Sequence, residues 1–133
     1  MPDKERSEPV WLDVDITLAI HDRQLAEHGG GVGVRDPGAL ESALSRPINR
    51  WAYGEHDPAA LAAAYAFGIA RNHPFVDGNK RTAWVLARLF LALNGAALSF
   101  EPAEAIRVML ALAAGECSEE ELADWFRTHV ATR

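Results

Sequence analysis

The chain has 133 residues, 49% of them apolar, which suits one globular domain with a modest core. A formal net charge of -6 and a pI near 5.3 argue against direct binding to nucleic acid or to an anionic membrane, because the long-range field repels phosphate. The single cysteine, Cys117, excludes an intrachain disulfide and fits a reducing cytoplasm.

Residues 1–9 are polar and charged with two prolines and lack the apolar stretch of a secretory signal, so they read as a mobile start to a domain spanning residues 10–133. From there the helix-start signals recur and alternating strand patterns are nearly absent. Asp13 caps a first helix from Val14 to His28, which stops at Gly29-Gly30-Gly31. Asp36-Pro37 opens a second, short helix to about Ser45, with Asp as cap and Pro at the first helical position. Residues 46–57 fit no helix and are expected to form a short hairpin or flap. Asp57-Pro58 then opens an Ala-rich helix to Asn72.

The next helix begins near Asn79 and ends at Leu93, where Gly95 supplies the left-handed stop. It is apolar on almost every side, so it is expected to be the central, buried helix. The run from Trp84 to Leu98 is broken by Arg88, Asn94 and Gly95 and is too short to span a bilayer. Pro102 opens a fifth helix ending at Gly115, and Ser118 with Glu121 forms a capping box for a last one to about Val130. The fold class is therefore all-α, a compact bundle of about six helices with a short β-hairpin flap.

Chemistry concentrates between the third and fourth helices, in His73-Pro74-Phe75-Val76-Asp77-Gly78-Asn79-Lys80-Arg81. A helix N-terminus carries unpaired N-H groups and partial positive charge, so adjacent Lys80 and Arg81 are unfavourable there unless an anion joins them. Gly78 lets the backbone approach a ligand closely, and with Asn79, Lys80 and Arg81 it resembles a phosphate cradle. His73 has the chemistry to accept a proton from a hydroxyl near neutral pH. Asp77 suits Mg2+, which takes one or two protein carboxylates and fills its shell with phosphate and water. Phe75 reads as a core anchor. The residue types favour an anion site and leave catalysis open; Asp77-Gly78-Asn79 is also a good turn sequence.

This segment resembles the signature of the Fic/Doc family, and its Asn-Lys-Arg ending resembles the death-on-curing toxin branch. His21-Asp22, the glycines before Asp36-Pro37-Gly38, Leu40-Glu41-Ser42-Ala43-Leu44 and Leu93-Asn94-Gly95 look like the same branch. The resemblance implies a compact helical fold, His73 as general base, Asp77 as Mg2+ ligand, and Asn79, Lys80 and Arg81 on phosphate. Most Fic enzymes carry Gly where this chain has Lys80, and they transfer AMP by attack at the α-phosphate. Death-on-curing toxins hold ATP the other way round and transfer its γ-phosphate, so Lys80 favours a protein kinase. The resemblance further implies a threonine of elongation factor Tu as target, a halt to translation, and neutralisation by an antitoxin whose tail helix lies in a groove. Trp51-Ala52-Tyr53-Gly54 would align the target by backbone pairing, as family flaps do; a packed loop anchored by Trp51 and Tyr53 is the other reading. An AMP transferase, a non-catalytic module binding nucleotide or antitoxin, and a ribonuclease toxin are the competing functions.

Other features point away from chemistry. Gly29 to Gly33 follows a helix and precedes no βα unit, so it reads as a helix stop and flexible link. His21, His28, His56 and His129 lack metal-ligand spacing and read as surface or packing residues. Arg88 lies seven positions after Arg81 and is expected in a buried ion pair, with a place on the rim of the site as its other reading. Cys117 reads as a small buried or loop residue with no nucleophilic role.

Overall fold

The structure, a computed structural model, describes residues 7–131; the first six residues of the expected mobile start lie outside the described residues. Short polar side chains cap four of the helices, because each helix start leaves N-H groups that need an acceptor. Asp13 accepts from the Ile16 N-H (3.0 Å) at the start of α1, Val14–His28. Asp36 does so for Ala39 (3.0 Å) in α2, Pro37–Ala52, and Asp57 for Ala59 (3.0 Å) in α3, Pro58–Asn72. α4, Asn79–Leu93, starts at left-handed Gly78 with no side-chain cap. α5 spans Pro102–Ala113. α6, Glu119–His129, opens on a reciprocal capping box between Ser118 and Glu121.

The architecture is all-α apart from one small sheet. Its strands, β1 (Ala97–Leu98) and β2 (Val130–Ala131), pair antiparallel and tie the end of α4 to the end of α6. No hairpin forms at residues 46–57; α2 continues to Ala52. Pro47 lacks the N-H that would bond Ala43, a loss that costs about 3 kcal/mol in an exposed helix interior. Here Leu40, Ala43, Leu44 and Pro47 form one buried stripe against α3, and that burial outweighs the missing bond. The helix ends where Gly54 takes positive φ and the Glu55 N-H reaches back to the Arg50 carbonyl (2.9 Å).

The central helix is α3, not α4. Ala59 to Ala66, Gly68, Ile69 and Ala70 are all buried, because short side chains let neighbouring helices approach on several sides at once. α4 is amphipathic instead: Leu86, Ala87, Phe90 and Leu91 face the core, while Lys80, Arg81, Arg88 and Leu93 face outward. Placing α3 at the centre fixes the site, since its C-terminus and the N-terminus of α4 are joined by the signature segment.

Candidate active site

α3 ends at His73, which adopts the left-handed conformation (φ 54, ψ 53) as the only non-glycine residue with positive φ among the described residues. Such a residue is strained unless its surroundings hold it. Arg35 supplies the hold: its guanidinium Nε donates to the His73 carbonyl (2.9 Å) and Nη2 to the Asn72 carbonyl (3.1 Å), covering the exposed end of α3. His73 itself is exposed to solvent.

From His73 the chain dips into the core and returns. Phe75 is fully buried, and the His21 ring of α1 stacks flat on it with centroids 3.8 Å apart and planes 9° off parallel. His21 Nε2 donates to the Asp77 carbonyl (2.8 Å), so α1 grips the loop at two residues. Asn79 closes it from below. Its Oδ1 accepts from the Phe75 N-H (3.0 Å), and its Nδ2 donates to the Phe75 carbonyl (3.0 Å) and to His73 Nδ1 (3.2 Å). The two Phe75 bonds fix which end of the amide is nitrogen, so Nδ1 of His73 must be the acceptor and the neutral ring carries its proton on Nε2.

Asn79 was expected on phosphate; its side chain is 4% exposed and fully engaged within the loop, leaving only its backbone N-H for a ligand. The backbone N-H groups of Asn79, Lys80 and Arg81 find no acceptor among the described residues, as at any helix start without a cap. Lys80 and Arg81 extend into solvent beside them, and neither forms an ion pair among the described residues. Open amides, the positive end of α4 and two unpaired cations make one concentrated anion-attracting surface.

The Asp77 carboxylate stands at the edge of that surface. Oδ1 accepts from the Gly78 N-H (3.1 Å) and Oδ2 from the Gly31 N-H (3.2 Å). Each oxygen keeps a lone pair for a cation. No group of three or more His, Cys, Asp or Glu able to hold a metal occurs among the described residues. A lone exposed carboxylate beside an anion-attracting helix start fits Mg2+, which takes one or two protein carboxylates and fills its other positions with phosphate or water, and does not fit a zinc cage.

The glycine-rich run set aside as a flexible link is part of this construction. Residues 31–36 lie along the loop: the Val76 N-H bonds the Gly33 carbonyl (3.1 Å), and the Arg35 and Asp36 N-H groups both reach the Pro74 carbonyl (2.7 and 3.0 Å). Val34 and Phe75 form an antiparallel bridge. His21, Gly31 and Arg35 were thus missed as site-building residues. His21 and the glycines carry the family resemblance in sequence, but nothing local to any of the three tells which part of the loop it holds.

Other expectations fall elsewhere. Trp51, Ala52, Tyr53 and Gly54 lie at the far end of α2 from His73, roughly 20 Å away along 14 residues of helix. Trp51 packs edge-on against Trp11, whereas Tyr53 is 92% exposed and lines a cleft of about 600 Å3 with Arg46, Arg50 and Gly54. The structure does not bring these four to the loop. Arg88 forms no buried ion pair; it is exposed, over the rings of Trp84 and Phe100 at 5.8 and 5.2 Å, about 12 Å along α4 from Lys80. His28 and His56 are exposed, and His129 bonds Glu104 (3.0 Å). The Cys117 thiol is pushed up by burial and by nearby Glu121, which keeps it protonated and unreactive.

Residues 11–91 match the Fic/DOC family. Among curated proteins, the chain is 39% identical over 111 residues to the "Protein kinase doc" of Escherichia phage P1, covering 83% of this chain and 87% of the relative. It is 41% identical over 100 residues to the "Toxin Doc" of Mycolicibacterium smegmatis, covering 71% of this chain and 76% of that protein.

Proposed function

The chain belongs to the Fic/DOC family, and from that premise we propose that it is the toxin of a toxin-antitoxin pair and acts as a protein kinase, transferring the ATP γ-phosphate to a protein hydroxyl. One observation carries the reading above all others: three N-H groups and two exposed cations without partners among the described residues stand at the start of α4, beside an exposed histidine and an exposed carboxylate. That arrangement suits the charge of a phosphoryl group in transfer, which needs positioning and electrostatic stabilisation more than covalent chemistry.

The roles follow from position. Lys80, Arg81 and the N-H groups of Asn79, Lys80 and Arg81 hold the phosphates in line. Asp77 would hold Mg2+, which when bound would supply positive charge to offset that of the phosphates. The target oxygen attacks the γ-phosphorus, the bond to the β-γ bridging oxygen breaks, ADP leaves, and His73 takes the hydroxyl proton. In the neutral ring the available lone pair is on Nδ1 and is engaged by the Asn79 amide. Proton transfer therefore requires the hydroxyl to displace that amide, or the ring proton to move to Nδ1 and free Nε2. His73 is exposed, which leaves its ring room to turn.

Lys80 favours phosphorylation over AMP transfer, because it occupies the place that a glycine leaves open for an α-phosphate in AMP-transferring relatives. The target is a threonine of elongation factor Tu, whose modification halts translation, and a cognate antitoxin peptide or helix restrains the toxin. These assignments rest on the family resemblance. Two labelled nucleotides test the chemistry: with Mg2+ and elongation factor Tu, γ-labelled ATP marks the target and α-labelled ATP does not. Transfer of the α-label instead makes the protein an AMP transferase, and nucleotide binding without any transfer makes it a binding module. Replacing Lys80 by Ala is expected to lower γ-transfer at least 100-fold, the order of effect of removing one charge-stabilising group.

A further inference from the structure

We propose that Gly30 and Gly31 are positioning residues for the Asp77 carboxylate, so that the strap of residues 30–36 sets how tightly the site holds Mg2+. The inference rests on the phosphotransfer reading for the identity of the cation, but the contact itself is independent of it.

Of the two N-H groups that hold the Asp77 carboxylate, one belongs to the next residue in the loop and the other, Gly31, comes from a segment 46 positions away. The Gly31 bond therefore fixes the carboxylate's direction relative to the rest of the fold. Gly30 makes room for it. A Cβ at Gly30 would lie 3.0 Å from Asp77 Oδ2, 3.2 Å from its Cγ and 3.1 Å from Leu25 Cδ2, so any side chain there pushes the carboxylate or the strap. The strap cannot simply yield, because Arg35, Asp36 and Gly33 bind it to the loop at Pro74 and Val76. A carboxylate turned by a few tenths of an ångström presents the wrong lone pair to a small cation that demands near-octahedral geometry.

Gly29 provides the internal control. It too has positive φ, 76° against 127° at Gly30, but nothing lies within 4 Å of a Cβ built there. Alanine at either position carries backbone strain, whereas only Gly30→Ala reaches the carboxylate. ATP affinity is measured by calorimetry on the full chain at rising Mg2+, with thermal melts recorded in parallel. Gly30→Ala is expected to need roughly 10- to 100-fold more Mg2+ for half-maximal ATP binding, the range for partners that orient a metal ligand. Gly29→Ala is expected to match the wild-type Mg2+ requirement even if it melts as early.

Gly30→Ala with a wild-type Mg2+ requirement, or an equal loss in both variants, overturns the proposal. Should wild-type protein bind no ATP at any Mg2+ level, the phosphotransfer reading fails. The strap contact is then judged by the amide NMR signal of Gly31 in Asp77→Asn protein. A shifted Gly31 signal retains the glycines as positioning residues for Asp77, and an unmoved one overturns that as well.

Discussion

Asn79 is held from both ends of its amide, and that makes it costly to replace. Its partners are the N-H and C=O of Phe75, a fully buried residue with no water at hand to take over. Asn79→Ala leaves both groups unpaired, at about 1 to 3 kcal/mol each, so the variant should be destabilised by roughly 2 to 6 kcal/mol in urea unfolding. A loss under about 0.5 kcal/mol would mean the loop is not closed by this side chain. From the sequence, the same residue reads as a phosphate ligand, because an asparagine next to Lys80 and Arg81 advertises polarity and not direction. His21 shows the converse. A histidine in an amphipathic helix carries no mark of its partner, and only the packing of α1 over Phe75 reveals that it grips the loop.

Where α2 packs on α3, Gly68 lets the Ala43 backbone approach closely. A Cβ at Gly68 would sit 3.0 Å from Ala43 Cα and 3.2 Å from the Ala43 carbonyl, which is backbone and cannot rotate away. Gly68→Ala gains helix propensity of about 1 kcal/mol, yet overpacking costs typically 1 to 3 kcal/mol. The variant should therefore be less stable than wild type by about 1 kcal/mol, read as an earlier midpoint in a denaturant titration; a later midpoint would mean that α2 moves aside freely. The same contact explains why α2 runs through Pro47. Pro47 would have bonded the carbonyl of Ala43, the residue that faces Gly68, and the sequence-based boundary at Ser45 follows a local rule that this packing overrides. Helix starts, by contrast, obey local rules: α1, α3 and α4 begin where the sequence reading puts them, since caps and left-handed glycines act within a few residues.

Across the whole molecule, α3 is the axis, and Tyr65 at its middle couples stability to pH. Its hydroxyl accepts from the Leu12 N-H (2.9 Å), and burial pushes the phenol up from 10.0 to about 12. The unfolded chain loses this proton first, so the folded state binds it more tightly between those values. Stability from this group is complete below pH 10 and falls by roughly 3 kcal/mol as pH rises toward 12, at about 1.4 kcal/mol per unit. Tyr65→Phe, otherwise weakened by loss of the Leu12 bond, should show a flatter decline in melting temperature over that range. An unchanged slope would assign the alkaline loss to other groups.

None of the helices among the described residues is long and apolar enough to cross a membrane. The all-α class, most helix starts, the capping box at Ser118 and the signature from His73 to Arg81 are legible in the sequence, because capping, helical periodicity and a contiguous motif are properties of neighbouring residues. What only the tertiary structure decides is which helix is central, how far α2 extends, and what holds the signature in shape. Those outcomes depend on contacts such as Gly31 with Asp77, His21 with Phe75 and Ala43 with Gly68. Their members lie tens of residues apart, and their energies arise only when the bundle closes around α3.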